Sequence, residues 1–343
     1  MTDSSHNPRR FACIVRRHGH VAAILTAISL PLLAGDFLVF QVTQLMVYAI
    51  AIMGLNVLVG INGQLSLGHG AFYALGAYTV AILMDGYGMP YGWTLLVAAA
   101  ITFAAGFAFG LPALRLEGIY LALATFTLAI ALPQILKLSV LNPWTGGVQG
   151  ISIAKPEAPS FLPINADQWL YALTLLMACL IYWLARNLIG SRTGRALAAV
   201  KDNALAARTM GINVALYKTL AFSVSACFTG IAGALSAIVV QYVSPDSFTF
   251  YLSVAILVGL VVGGVGWLPG AFLGAAFILF VPNIAEGVSK GLSGAVYGIL
   301  LIALIVMRPS SSAAGGGTWR SLLSCTGRRA HQISHPQEKR RQA

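Results

Sequence analysis

The residues able to do chemistry in this chain are few, and they gather where the apolar pattern breaks. Between two apolar runs lies Gly60-Ile61-Asn62-Gly63-Gln64-Leu65-Ser66-Leu67-Gly68-His69-Gly70, preceded by Asn56. The stretch is too rich in glycine for an uninterrupted helix. Asn56, Asn62, Gln64, Ser66 and His69 offer hydrogen bonds but no Ser/His/Asp pattern, paired carboxylate or metal cluster. Two readings fit. Backbone that leaves helical geometry at membrane depth is tolerated only where it lines a cavity or is buried in protein, which makes the stretch a re-entrant or broken helix. Alternatively it is a turn whose polar side chains meet water. Position decides between them. His69 has no second His, Cys or carboxylate beside it, and such a histidine is more often a structural hydrogen-bonder than a metal ligand.

A second group is strung along residues 188–216: Arg192, Gly194, Arg195, Lys201, Asp202, Asn203, Ala207, Arg208 and Gly211. Its alanine-rich composition predicts two short helices. The first runs from about Gly194 to Lys201; the second is N-capped by Asp202, carries Arg208 in its last turn and stops at Gly211, where positive φ is easy. Helices of this length are unstable alone in water. They either dock on a partner or merely connect two membrane helices as a basic loop. A third group, Leu114-Arg115-Leu116-Glu117-Gly118, reads as an interfacial topology anchor.

Other chemistry is missing from the sequence. It has no Gly-x-x-x-x-Gly-Lys-Ser/Thr loop, no His-Glu-x-x-His and no Ser/His/Asp pattern, and its four cysteines show no Cys-x-x-Cys spacing. No catalytic residue, metal or cofactor is therefore assigned. Any active transport draws on an ion gradient or on a separate subunit.

The elements that position these residues follow from composition. Of 343 residues 58% are hydrophobic and 9% charged, far from the roughly one quarter charged of soluble domains. Apolar windows predict an all-α, polytopic integral membrane helical bundle of about ten transmembrane helices, at 21–38, 40–59, 70–84, 91–113, 118–138, 169–187, 217–241, 251–266, 270–285 and 292–307. The net charge of +11 suggests nucleic acid less than sidedness. With a cytoplasmic N-terminus, 18 of 21 lysines and arginines fall inside, and only Lys137, Lys155 and Lys290 fall outside. Residues 1–20 form a basic cytoplasmic segment, 21–309 the membrane unit and 310–343 a disordered basic cytoplasmic tail. The arginines before Val21 could pass for a secretory signal, but no small-x-small site precedes Asp36, which favours a retained helix. The outer loop 139–168 is expected to be ordered only by docking. A faint echo links His69-Gly70-Ala71-Phe72 with Pro269-Gly270-Ala271-Phe272, as in transporters of two related halves or by chance.

Several ordered motifs resemble the membrane permease subunits of bacterial, binding-protein-dependent ABC importers for branched-chain amino acids. They are Gly54-Leu55-Asn56-Val57-Leu58-Val59-Gly60 running into Gly63 to Phe72, Leu114-Arg115-Leu116 with Gly118 and Tyr120-Leu121-Ala122, and Thr145-Gly146-Gly147 with Gly150-Ile151. Ser191-Arg192, Gly194-Arg195-Ala196, Lys201-Asp202-Asn203, Ala206-Ala207, Gly211-Ile212-Asn213, Tyr217-Lys218 and Met307-Arg308-Pro309 continue the match.

The resemblance implies a multi-pass protein of the bacterial inner membrane with both termini cytoplasmic. It implies as partners a homologous second permease subunit, two cytoplasmic ATP-binding subunits, an extracytoplasmic solute-binding protein and the lipid bilayer, with no nucleic acid. Asp202 to Gly211 becomes a coupling helix seated on an ATP-binding subunit, and the outer loop 139–168 helps receive the binding protein. Asn56, Asn62, Gln64, Ser66 and His69 become candidates for the solute's path. One departure bears on the solute: Ile130 stands where family members often carry an acid. Relatives import urea, short amides or aromatic acids, and those solutes remain alternatives beside branched-chain amino acids. A stand-alone channel or secondary transporter is the reading from another class.

Overall fold

The computed structural model describes residues 35–156 and 165–288, apart from Arg115 and Glu117, together with Gly298. The expected first and last helices (21–38 beyond its final residues, and 292–307), the basic segment 1–20, the tail 310–343 and the Arg115/Glu117 anchor lie outside the described residues.

The chain is all-α. Helix α1, Asp36–Asn56, runs on into a π-turn, Val57–Ile61; α2 is His69–Tyr87, α3 Tyr91–Ala113 and α4 Ile119–Leu136. A short helix, α5 (Asn142–Thr145), precedes a two-residue strand, β1 (Ile151–Ser152). Then follow α6 (Ala166–Gly190), α7 (Arg192–Asp202), α8 (Ala204–Thr209) and α9 (Val214–Val240). Strand β2 (Tyr242–Val243), a 3-10 turn (Pro245–Phe248), α10 (Phe250–Gly263) and α11 (Gly270–Val288) complete the described chain. Among the described residues five helices are long and apolar enough to cross a membrane: α1 with its π-turn, α3, α4, α6 and α9. α10 is a shorter apolar helix, as is the Gly270–Ile284 stretch of α11.

Helix ends differ from the sequence reading by a few residues, each for a local reason. α6 begins at Ala166 rather than 169 because Asn165 and Gln168 form a reciprocal capping box. α10 stops at Gly263 rather than 266 because Gly264 and Gly266 adopt φ of 100° and 84°, open to glycine.

Two helices form the centre. α1 is apolar on every side, so it can be satisfied only by being surrounded; Val47 and Ala49 to Leu58 are all buried. α9 lies against it, and α2, α3, α6, α10 and α11 pack around this pair. In lipid, apolar surface gives little drive for helices to associate, so close approach matters more. A Cβ at Gly76 would land on the Gly230 carbonyl, and one at Gly233 on the Tyr73 carbonyl. Those two contacts bring α2 and α9 together backbone to backbone.

α1 and α9 run in opposite directions, and each leads into a break and then a further helix: residues 57–68 before α2, and 241–249 before α10. α2 packs on α9 while α10 packs on α1. The two returning helices meet at their starts, where the Gly70 amide donates to Ser253 Oγ at 2.9 Å. The echo between His69–Phe72 and Pro269–Phe272 falls at two helix starts, those of α2 and α11.

Candidate functional site

The break after α1 is built from its own polar residues. Widening the helix into a π-turn over Val57–Ile61 shifts the hydrogen-bond register and frees the chain to leave the helix. Gly63 then takes φ 74°, and the chain runs without helical structure to Gly68. Asn56 fastens this break to the turn between α10 and α11. Its Oδ1 accepts from the Gly266 amide at 2.8 Å, and its Nδ2 donates to the Trp267 carbonyl at 3.2 Å. A Cβ at Gly60 would strike Asn56 Oδ1 and the Gly266 backbone, so only glycine fits.

His69 is enclosed, at 1% exposure, and its proton can be placed from its partners. Ser225 Oγ donates to the Gly54 carbonyl at 2.6 Å and lies 2.6 Å from His69 Nε2. With the Ser225 proton committed to the carbonyl, Nε2 must be the donor, which leaves Nδ1 to accept from Ser66 Oγ at 3.1 Å. Ser66 in turn accepts from the Gly68 amide at 3.3 Å. A neutral histidine thus ties the break to the middle of α9. Asn62 Nδ2 donates to Gln64 Oε1 at 2.7 Å, and the Leu67 amide donates to Thr125 Oγ1 on α4 at 2.9 Å.

All five candidate residues, Asn56, Asn62, Gln64, Ser66 and His69, are buried. Of the two readings, this is a broken helix held inside the protein rather than a turn in water. The side chains spend their hydrogen bonds on the fold itself. Asn62 Oδ1 is a buried atom with no partner among the described residues.

The 188–216 segment is a helical hairpin, with its caps placed differently from the sequence reading. Ser191 caps α7 by accepting from the Gly194 amide at 3.3 Å, so that helix covers Arg192–Asp202 rather than Gly194–Lys201. Asp202 is its last residue and caps nothing. Asn203 caps α8, its Oδ1 accepting from the Leu205 and Ala206 amides at 3.0 Å each. Asn and Asp are equally good caps, so the choice falls to which residue has extended backbone, and that is Asn203. α8 closes as expected at Gly211, φ 83°, where the Ile212 amide reaches back to the Ala207 carbonyl at 3.1 Å.

Val200, Ala207 and Val214 make a small apolar core for this hairpin. Arg195 donates to the Gly190 carbonyl at 3.1 Å, and Gly194 sits where a Cβ would meet the Ile189 and Leu188 carbonyls. Leu205 and Met210 point outward, 73% and 83% exposed, beside the exposed Arg208. Lys201 joins the two sites: its Nζ donates to the Gly60 carbonyl at 2.7 Å, and its stem covers Gly63.

At the opposite end of the bundle, the described part of the 139–168 loop is ordered by docking on this chain. β1 pairs antiparallel with β2, Ile151 opposite Val243. Gly146, Gly147 and Gly150 all take positive φ, which explains that glycine motif as a turn. Lys137 pairs with Asp246 at 2.5 Å and Lys155 with Asp167 at 2.7 Å. Among the described residues no three His, Cys, Asp or Glu side chains group to hold a metal.

Sequence reasoning missed Ser225, Thr125 and Ser253; it expected the break between the helices at 251–266 and 270–285 but not its contact with Asn56. The available signal was weak but physical, since hydroxyl residues inside apolar helices tend to bond across or within the bundle.

Comparison with known proteins agrees with this architecture. The family model described as branched-chain amino acid transport system / permease component matches residues 37–305. The high-affinity branched-chain amino acid transport system permease protein LivM of Escherichia coli (strain K12) is 33% identical over 314 residues, covering 84% of this chain and 73% of that protein. LivH of the same organism is 24% identical over 285 residues, 76% of this chain and 89% of its own. The autoinducer 2 import system permease protein LsrC of Escherichia coli (strain K12 / DH10B) is 24% identical over 315 residues, 85% and 87%. No solved structure matches significantly. A family match across most of the chain means that the chain belongs to the branched-chain amino acid transport system / permease component family, a family of multi-pass inner-membrane permeases.

Proposed function

We propose that this chain is the membrane-spanning subunit of an importer that carries branched-chain amino acids into the cell, using ATP hydrolysed on separate subunits. Family membership and the relatives' names support the solute class. The observation that carries the mechanism is the Lys201 bond to Gly60. Through it the α7–α8 hairpin is fastened to the broken helix at the centre of the bundle.

In this reading eight described helices, α1 to α4, α6 and α9 to α11, join the expected helices at 21–38 and 292–307 to make ten. The Lys201 end faces the cytosol, since Arg192, Arg195 and Arg208 gather there. Leu205 and Met210, exposed on the hairpin, are the apolar knobs that enter a groove of an ATP-binding subunit. Closure of the two ATP-binding subunits moves the hairpin as a rigid body, and Lys201 passes the shift to Gly60 and Asn56. The break then repacks between two discrete arrangements, as a population shift driven by nucleotide state. This chain performs no chemistry itself. A homologous second permease and an extracytoplasmic binding protein complete the importer.

The test is uptake by the complete importer in proteoliposomes. Lys201→Met should lower ATP-driven leucine uptake about tenfold, the loss of one charge-assisted bond, while ATP hydrolysis continues. Lys201→Arg should restore part of the uptake. Wild-type uptake by Lys201→Met would refute the linkage. Concentrative uptake by the purified chain without partners would favour a secondary transporter instead.

A further inference from the structure

At the end of the bundle remote from Lys201, between α1, α2, α9, α10 and α11, lies a cavity of about 330 Å³. Ligand pockets run upward from about 300 Å³, so it has room for a solute of amino-acid size. Its walls are aromatic, with Phe40, Tyr48, Tyr242 and Phe248 among them, and none of the described lining residues is charged. A ligand held there is neutral or zwitterionic, since a net charge would enter with no counter-charge.

One lining residue is unexplained by the fold. Gln44 is 8% exposed and lines the cavity. Its neighbour Thr43 bonds to the Val39 carbonyl at 2.7 Å, but the Gln44 amide has no hydrogen-bond partner among the described residues, nor is it sealed from the cavity as a fully occluded atom. A buried amide without a partner is costly unless something from outside satisfies it. Two further features fit a polar ligand end. Ser247 brings a hydroxyl to the cavity, and α10, whose first turn contributes Leu252 to the wall, starts without a side-chain cap.

We propose that this cavity is a binding station for the transported solute: the aliphatic side chain of an amino acid lies among the aromatic rings, and Gln44 hydrogen-bonds its zwitterionic end. This rests on the reading of the chain as an amino-acid permease. It adds that the membrane subunit itself selects by side-chain shape, after the soluble partner has released its cargo.

The test uses the complete importer in proteoliposomes, with assembly checked by size-exclusion chromatography and initial uptake of alanine, valine, leucine and phenylalanine compared. Gln44→Leu should slow leucine uptake about tenfold, as expected for one lost hydrogen bond to a charged group. Phe248→Ala should widen the cavity and shift the phenylalanine-to-leucine ratio upward by about fivefold. Unchanged rates and ratios in both variants would overturn the station while leaving the permease reading intact. A uniform loss for all four solutes in Phe248→Ala would also overturn it, marking a packing residue. Should either variant fail to assemble, Ser247→Trp decides, because that position is exposed: it should block the cavity and slow uptake, and an unaltered rate refutes the station. A wild-type importer that moves none of the four would instead overturn the permease reading itself.

Discussion

His69 shows how little a residue's type reveals without its neighbours. In the sequence it stands alone among glycines, and a structural role follows only from the lack of a second ligand. In the structure both ring nitrogens are spoken for, by Ser66 and Ser225. Ser225 lies 156 positions from His69 along the chain, and nothing local links them, so this half of the network was illegible. Ser225 is the keystone because it both accepts from His69 and donates to Gly54. Ser225→Ala removes both contacts at once, leaving the buried His69 ring N–H unpaired and taking one hydrogen bond from the Gly54 carbonyl. The expected cost is roughly 1–3 kcal/mol for the unpaired ring N–H, read as a lower thermal midpoint of the purified importer. Ser225→Cys, a weak donor of similar size, should lose less. No shift in either variant would contradict the assigned hydrogen bonds.

At the scale of elements, the long helices were readable because 18 or more apolar residues in a row leave few other structures. Their ends were less so, because a cap is chosen by backbone conformation. Asp202 and Asn203 are adjacent and chemically equivalent as caps, and the sequence offers no reason to prefer the second. Asn203 wins since α7 continues through Asp202 and turns only at the next residue. Asn203→Ala should therefore destabilise α8 by about 1 kcal/mol, Asn203→Asp should be close to neutral, and Asp202→Ala should change little. Hydrogen exchange of the Ala204–Thr209 amides measures this directly. Faster exchange in Asp202→Ala than in Asn203→Ala would return the cap to Asp202. The start of α2 was misjudged by one residue only, yet the meaning of the break before it needed the third dimension. The Asn56, Gly60 and Gly266 contacts that bury it join residues some two hundred positions apart.

For the whole molecule the decisive question is which end faces the cytosol, because the proposed drive enters at one end and the solute at the other. The charges supply the argument. Arg192, Arg195, Lys201 and Arg208 belong to the hairpin end, whereas Lys137 and Lys155 at the other end are each paired with an acid. Sidedness follows the lysines and arginines rather than the net charge, so this cluster of four against two argues for a cytosolic hairpin. Single cysteines placed in a chain whose four native cysteines are replaced test this without assuming any transport. A cysteine at Asp246, whose side chain is 63% exposed, should react with a membrane-impermeant maleimide in spheroplasts from intact cells. A cysteine at Leu205, 73% exposed, should react only after the membrane is opened. With the chain expressed without the ATP-binding subunits proposed to cover Leu205, both positions are accessible, and a failure to label reports the membrane and not burial. The reverse pattern would turn the molecule over, placing the Gln44 cavity on the cytosolic face and leaving the hairpin with no ATP-binding subunit to grip.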